Sequence, residues 1–175
     1  MRVTSSISER QQEEKALDLV CAANWHYRRA KAWHFVRVLG TICLALLAPI
    51  VTFWVPSIAT PLATAAAAWV FVARVALARW EDNQVRLGAT AQEQFDCHVF
   101  GLPWHEALAG RPLATQDVLA AARRVKPTKR EELRNWYSPK ADMAPWPLNA
   151  VLCQSASATW SRRAHEHYAR VLLVS

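Results

Sequence analysis

Histidine and cysteine are the residues of this sequence that could ligate a metal, and it contains six histidines and four cysteines. His98 lies seven positions before His105, and His165 and His167 bracket a glutamate. Metal sites usually place their ligands at spacings such as H-E-x-x-H or paired C-x-x-C, and neither spacing occurs here. Residues two apart on a helix point in different directions, so His165 and His167 are poorly placed to share an ion. We therefore predict no metal, no cofactor and no catalytic residue.

Other enzyme signatures are also missing from the sequence. It has no G-x-S-x-G, no Walker-type loop and no G-x-G-x-x-G, and four glycines offer little material for a loop that cradles phosphates. The cysteines Cys21, Cys43, Cys97 and Cys153 show no C-x-x-C spacing, which favours reduced thiols over a disulfide framework. A membrane-anchored enzyme would need a metal or nucleophile site that the sequence does not provide, so the interpretation is a protein that is not an enzyme.

The second half of the chain mixes large aromatic side chains with arginines and lysines. Such a mixture can stack nucleobases and hold phosphates. The alternative is that the aromatics fill the core of a small helical domain while the charges are solvated, and the sequence physics alone favours this alternative. The aromatics are Phe95, Phe100, Trp104, Trp136, Tyr137, Trp146, Trp160 and Tyr168. The candidate ligand contacts are Arg123, Arg124, Lys126, Lys129, Arg130 and Arg134 for phosphates, with Trp136 and Tyr137 for base stacking.

A long apolar block precedes this aromatic and basic region and determines how the region is held in the fold. The 36 residues from Val38 to Ala73 include no Asp, Glu, Lys or Arg. A single straight helix of this length would measure about 54 Å, whereas the hydrocarbon core of a bilayer is about 30 Å thick. Pro56 and Pro61 lie near the middle, where each removes a backbone donor. The block therefore predicts two spans, Val38–Val55 and about Pro61–Arg79, with a short turn between them and a kink at Pro49.

Charge around the two spans predicts their orientation. The turn between them is uncharged, while basic residues lie at their other ends: Arg28, Arg29, Lys31, Arg37, Arg74, Arg79 and Arg86. Because cytoplasmic flanks are enriched in Lys and Arg, both termini are expected in the cytoplasm. This enrichment also explains the net charge of +7 without a nucleic-acid surface. Trp33 and Trp80 would form the inner aromatic belt, and Trp54 the outer one.

Helical periodicity predicts the remaining elements, and no segment alternates as a strand does. An amphipathic helix over Ser8–Trp33 should run into the first span, and the second span should continue through Glu81–Gln94. The following predictions are a helix over Ala114–Val125, a basic turn at Val125–Arg130, a short helix over Lys129–Trp136 and a helix over Leu148–Leu173. The predicted fold is all-α, with an N-terminal helix (1–37), a transmembrane hairpin (38–80) and a helical cytoplasmic domain (81–175).

Three stretches, AQEQFDCHVFGLPW, LRNWYSPKAD and CQSASATWSRRAHEHYA, resemble the cytoplasmic region of the SMODS-associated four-transmembrane effectors. The resemblance covers Gln11 to Ala169. The positions that carry it are Phe95, Asp96, Leu102, Trp104, Leu133, Arg134, Trp136, Tyr137, Cys153, Gln154 and Trp160. The family is described as pore-forming effectors of bacterial cyclic-oligonucleotide antiphage systems (CBASS). In these systems a nucleotidyltransferase senses phage and makes a cyclic nucleotide, and the effector then permeabilises the inner membrane.

The resemblance implies an effector in the bacterial inner membrane, activated by a cyclic oligonucleotide and acting as a homo-oligomer in the lipid bilayer. The alternative is a non-enzymatic adaptor whose hairpin anchors a protein-binding domain. The family has four spans, whereas the sequence predicts two. The second pair would follow the helix that starts at Leu148, where the sequence stops, which points to a truncated or naturally short version.

Overall fold

In the computed structural model, which describes residues 6–159, all the regular elements are helices. The predicted all-α fold is therefore confirmed. The long elements, in chain order, are α1 (Ile7–Gln11), α2 (Glu14–Trp54), a 3-10 turn (Pro56–Ile58), α3 (Ala59–Val72), a π-helical turn (Ala73–Leu77) and α4 (Ala78–Phe100). The shorter elements are α5 (Glu106–Ala109), α6 (Thr115–Ala122), α7 (Pro127–Leu133), a 3-10 turn (Pro139–Met143) and a helical segment α8 (148–159).

The predicted helix from Leu148 extends to Leu173, and only its part in α8 falls within the described residues. The rest of that prediction lies outside them. The same holds for four side chains considered in the sequence: Trp160, His165, His167 and Tyr168.

Helix α2 joins the predicted N-terminal helix and the first span in one element of 41 residues, about 62 Å long. It continues through Pro49, whose ring removes one backbone donor. One turn later, the Thr52 hydroxyl donates to the carbonyl oxygens of Ala48 (2.8 Å) and Pro49 (3.0 Å). The N-terminal helix therefore runs into the first predicted span without a break, as predicted. The kink at Pro49 stays a prediction.

Two helical stretches are long and apolar enough to cross a membrane, one within α2 and one within the segment Pro56–Phe100. Only 0% and 11% of their apolar windows are buried, so neither is the core helix of a soluble protein. Exposed side chains on these stretches include Ile42, Leu46, Leu47, Ile50, Phe53, Trp54, Val70 and Phe71. A bilayer is the solvent that such a surface requires, and helices satisfy their own backbone groups within it.

Several predicted boundaries are wrong by a few residues. The second membrane helix begins at Ala59 rather than Pro61, because a proline in the first turn removes a donor that has no helical partner anyway. For the same reason α7 begins at Pro127, inside the predicted basic turn, and it ends at Leu133 instead of Trp136. Helix α6 ends at Ala122 rather than Val125. Helix α4 passes Gln94 and stops at Gly101, whose φ of 67° is the left-handed conformation that ends helices.

In the apolar stretches, α2 and α3 meet where Trp69 lies on Gly40. A Cβ atom at Gly40 would overlap the indole ring of Trp69, so only glycine admits the ring at this distance from the α2 backbone. The indole Nε1 also donates to the hydroxyl of Thr41 at 3.2 Å. In lipid there is little hydrophobic drive between helices, so such close packing and hydrogen bonding hold the hairpin together.

Outside the membrane, α2 pairs with α4 to form a two-helix stalk of polar contacts. At its membrane end, Glu81 accepts from Arg37 at 2.8 Å and lies 3.0 Å from the ring nitrogen of His34. Nearer the N-terminus of α2, His26 and Gln84 share a hydrogen bond of 2.8 Å. The predicted inner aromatic pair, Trp33 and Trp80, also meets across this interface, with ring centroids 5.0 Å apart.

The far end of the stalk carries a helical head. Its core combines α1 and the first turns of α2 with residues from the end of α4, from α6 and α7, and from α8. The two segments predicted as separate parts, 1–37 and 81–175, therefore share one core across their described residues. Its buried members include Ile7, Leu17, Cys21, Phe95, Val99, Phe100, Val118, Leu133, Tyr137 and Cys153.

We predict that Gly40→Ala destabilises the hairpin by about 1–3 kcal/mol, because the added methyl displaces the Trp69 ring. Thermal unfolding of the full chain in detergent micelles measures the effect. In a Trp69→Leu background the ring is absent, so the same substitution should cost much less. An equal loss of stability in both backgrounds would contradict the proposed packing.

Candidate ligand-binding head

Tyr137 lies in the core of the head, with 4% of its surface exposed. Its ring stacks on Phe95 (centroids 5.8 Å apart) and packs against Phe100 (5.2 Å). Its hydroxyl donates to Oδ1 of Asp96 at 2.7 Å. The ring is therefore packed against side chains of α4, and the prediction that Tyr137 stacks on a ligand base does not fit this burial. The core interpretation of the aromatics holds at this position.

Gln11 connects the beginning of the chain to Tyr137. The Gln11 side chain is buried, with 2% exposed. Its amide nitrogen donates to the carbonyl oxygen of Tyr137 at 3.0 Å, and its amide oxygen accepts from the backbone N–H of Tyr137 at 2.9 Å. One side chain thus satisfies two backbone groups that would otherwise be buried without partners. We call Gln11, Asp96 and Tyr137 the core node.

Asp96 is the titratable group of the core node. Burial raises the pKa of its carboxyl to about 6; the hydrogen bond from Tyr137 opposes this rise and the charge of Glu93 adds to it. Burial, followed by the charge of Asp96, also raises the pKa of the Tyr137 hydroxyl above its ordinary value. At neutral pH the neutral phenol of Tyr137 therefore donates to the carboxylate of Asp96. Burial makes the ionised form of this carboxylate unfavourable in free energy.

Half of the predicted phosphate contacts are engaged with carboxylates. Arg130 lies 2.8 Å from both Asp18 and Glu14 of α2. Arg134 pairs with Glu131 at 3.0 Å, and Lys129 pairs with Glu132 at 2.6 Å. These cations help to dock α7 on α2 or support α7 itself.

The other three predicted cations are Arg123, Arg124 and Lys126, around the turn between α6 and α7. All three are exposed, and within the described part of the chain no ion pair or hydrogen bond engages their side chains. Trp136, just after α7, is 42% exposed. The structure therefore leaves four of the eight predicted ligand contacts accessible.

A cleft of about 810 Å³, which the sequence did not predict, opens between α2, α4, α6 and the loop that follows α4. Ligand pockets in proteins typically measure about 300–1,000 Å³. The cleft is mostly apolar, with polar side chains at its rim. Its lining residues are Lys15, Asp18, Leu19, Gln94, Cys97, His98, Gly101, Leu102, Trp104, Pro112, Leu113, Thr115, Val118 and Leu119. They come from three separate segments of the chain, 15–19, 94–104 and 112–119, so no local motif could have indicated this combination.

The described residues provide no metal centre. No group of three or more His, Cys, Asp or Glu side chains within 6–159 is arranged to hold an ion. The four cysteines are free thiols, two of them (Cys21 and Cys153) buried in the head. His98 lies at the rim of the cleft, where its Nε2 atom is 2.8 Å from Glu13, and His105 is an exposed residue before α5.

These features define a class: an all-α membrane protein whose two apolar helices lead into a helical head. A family model described as the SMODS-associating 4TM effector domain matches residues 5–175, and the chain belongs to this family. It is also 24% identical, over 159 residues, to a protein of Bacillus cereus strain VD146 named as a probable CBASS effector molecule. That alignment covers 87% of this chain and 53% of the relative, so the chain spans about half the relative's length. No solved structure matches the chain.

The residues that carry the family resemblance fall into distinct places in the head. Asp96 and Tyr137 belong to the core node, Phe95 stacks on Tyr137, and Leu133 and Cys153 are buried in the same core. Leu102 and Trp104 instead line the cleft, and Arg134 and Trp136 lie at the end of α7. Gln154 is exposed on α8.

We predict that Gln11→Ala opens the head around Tyr137, because it leaves a buried N–H and a buried carbonyl unsatisfied, at a cost of about 2–4 kcal/mol. Hydrogen–deuterium exchange of peptides that cover residues 134–140 measures this opening. Gln12→Ala is the matched control. Gln12 donates to the Arg134 carbonyl and to Asn135 from a partly exposed position, so water can replace it. Equal exchange in both variants would contradict the clamp.

Asp96 makes the stability of the head depend on pH. Since its folded pKa is raised above the ordinary 3.8, the native state binds its proton more tightly than the unfolded state. The stabilisation is complete below about pH 4 and is lost as the pH rises through about 6. We predict that Asp96→Asn removes this part of the pH dependence and, at pH 7.5, stabilises the head by about 1–3 kcal/mol. Melting curves between pH 4 and 8 measure it. Asp82→Asn, at an exposed position on α4, should keep the wild-type slope, and retention of that slope by Asp96→Asn would exclude Asp96 as its source.

Proposed function

We propose that this chain is a membrane effector of a bacterial CBASS antiphage system. A cyclic oligonucleotide binds the head, copies of the chain assemble in the inner membrane, and the spans rearrange into a leak. Membership of the effector family supports this proposal, as does the relative named as a probable CBASS effector. In this account the basic residues that flank the spans keep both termini in the cytoplasm, where the nucleotide is made.

The observation that carries the proposal is the continuity of the helices between head and membrane. Leu17 and Cys21 are buried in the head core, while Leu46 and Ile50, on the same helix, are exposed and in this proposal face the lipid. The returning arm extends from Ala59 to Phe100 without a non-helical residue. Because a helix is stiff, a change in how α2 and α4 pack in the head moves their membrane segments. A ligand drives such a change only if it binds the open arrangement more tightly than the closed one.

The exposed cations Arg123, Arg124 and Lys126, with Trp136, are the proposed contacts for the nucleotide at the α6–α7 turn. Arg and Lys hold phosphates, and an exposed indole stacks a base. The remaining cations of the predicted set, Lys129, Arg130 and Arg134, already have carboxylate partners. They would take part only by exchanging those partners for phosphate oxygens.

Membrane potential tests the function. Bacteria that express this chain should depolarise when a cognate cyclic-nucleotide synthase is co-expressed, and should keep their potential when an inactive synthase replaces it. If the protein is present in the membrane and neither strain depolarises, the effector proposal is wrong for this chain.

An adaptor is the second candidate, and the apolar surface of the head favours it. Met143, Trp146 and Leu148 are 86%, 59% and 51% exposed, and Val151 and Leu152 continue this surface along α8. Exposed apolar patches of this kind often bind another protein. An adaptor would hold a partner at the membrane, so its expression should leave the membrane potential unchanged under both conditions.

We predict that the double charge reversal Arg123→Glu and Arg124→Glu weakens binding of the activating nucleotide by about a hundredfold or more, because it removes two charge-assisted hydrogen bonds, each worth about 1.5–3 kcal/mol. Isothermal titration calorimetry on the full chain in micelles measures the affinity. The matched control reverses Arg28 and Arg29, another pair of adjacent exposed arginines, located on the stalk. Unchanged affinity in the Arg123 and Arg124 variant would remove both residues from the site.

A further inference from the structure

The cleft beside Trp104 is far from the bilayer. It is lined by Lys15, Asp18 and Leu19 of α2, whereas Arg37 marks the membrane end of the stalk. The helical rise places Asp18 about 28 Å from Arg37 along α2. The cleft therefore opens to the aqueous phase, where a soluble molecule reaches it and a membrane lipid does not.

The walls of the cleft are held in place before any ligand arrives. The side-chain amide of Gln94 accepts from the backbone N–H of Leu113 at 3.0 Å and donates to its carbonyl at 3.3 Å. The indole Nε1 of Trp104 donates to the Gly110 carbonyl at 3.0 Å. These hydrogen bonds hold the loop after α4 near both of its ends. The indole ring of Trp104 is therefore fixed at the cleft wall. A site that is ordered in advance loses less entropy on binding.

One cation at the rim can hold an anion. The Lys15 side chain is exposed, and no ion pair or hydrogen bond within residues 6–159 engages it. Asp18 is the lining residue with a carboxylate, and it shares Arg130 with Glu14, each at 2.8 Å. His98 adds a ring whose Nε2 atom faces Glu13 and whose Nδ1 atom is not bonded to it. The cleft thus combines an apolar wall, an indole ring and one cation whose side chain has no partner among the described residues.

We propose that this cleft binds one nucleotide unit of the cyclic oligonucleotide, with the heterocyclic base against Trp104 and Leu119 and a phosphate at Lys15. The inference rests on the proposed function and names a second contact region, apart from the cations of the α6–α7 turn. A base has a flat apolar face that stacks on an aromatic side chain, at about 1–3 kcal/mol per base. The adjoining phosphate supplies a negative charge for the Lys15 ammonium.

Binding here would act directly on the stalk. Lys15 and Leu19 belong to α2, while Gln94 and His98 belong to α4, so one ligand contacts both arms of the stalk. A nucleotide that fits only one relative position of the two helices would favour that position. The same helices continue into the spans, which makes the cleft the regulatory site of the proposed effector.

Calorimetry with the full chain in micelles tests the site, using a panel of 3′,5′-linked cyclic dinucleotides and cyclic trinucleotides as probes. For the nucleotide that binds, Trp104→Ala and Lys15→Gln should each weaken the affinity at least tenfold. Trp104→Phe, which keeps an aromatic face, should retain most of it. Leu108→Ala, 88% exposed in the same loop, and Lys140→Gln are the matched controls and should bind like the wild type.

Cys97 reports occupancy of the cleft independently. It is a lining residue and a free thiol, and burial followed by the charge of Glu93 raises its pKa, so it is alkylated with N-ethylmaleimide at alkaline pH. In a Cys43→Ser background, the bound nucleotide should slow this alkylation at least fivefold.

The outcomes separate this inference from the proposed function. Protection of Cys97 together with weakened binding in both cleft variants supports the site. Binding that neither variant weakens, without protection of Cys97, overturns the site but leaves a nucleotide-activated effector intact. If no nucleotide of the panel binds the wild type while synthase-dependent depolarisation persists, the cleft proposal is also overturned, and only the effector function stands.

Discussion

The antiparallel pairing of α2 with the returning arm α3–α4 is the constraint on which the rest of the structure depends. Helix α2 is about 62 Å long, and it passes from the core of the head through a polar stalk into an exposed apolar stretch without a break. Each surrounding requires a different way of holding two helices together. The head uses apolar burial around Leu17 and Phe95, the stalk uses hydrogen bonds such as His26–Gln84, and the membrane end uses the Arg37–Glu81 ion pair. In lipid, the hairpin relies on the close approach of Trp69 to Gly40.

The head is the part in which this pairing is open to control. The core node attaches the first helix of the chain and the segment after α7 to α4, through Gln11, Tyr137 and Asp96. Its buried carboxyl is costly to ionise, so the node is held by geometry and hydrogen bonds rather than by a charge pair. The cleft lies beside this core and touches α2 and α4 directly. In the proposed mechanism, a ligand there acts on the two helices that lead into the apolar stretches, with no intervening hinge.

The sequence was sufficient for the features that depend on local signals. The charge-free block, Pro56 and the basic flanks predicted a hairpin, because the bilayer restricts what an uncharged segment can do. Long-range partners were beyond such signals. Tyr137 lies among basic residues in the sequence, and only the positions of Phe95, Phe100 and Gln11 show that it is a core residue. Likewise, the sequence predicted that Arg130 is a free cation, because its partner Glu14 lies 116 positions away and no local signal connects the two. The cleft gave no sequence signal, since Lys15, Gln94 and Leu119 meet only through the fold.

The central claim is that the head controls the spans through helices without a break. Insertion of Gly-Ser-Gly between Ala30 and Lys31 would interrupt α2 in the stalk, between the head core and the membrane. Membrane potential with co-expressed synthase is then the most direct measurement, with membrane insertion and nucleotide affinity checked on the same variant. The account predicts that the variant inserts and binds like the wild type but no longer depolarises the cell. Full depolarisation by this variant would contradict the account, because the signal would then reach the membrane without a continuous α2.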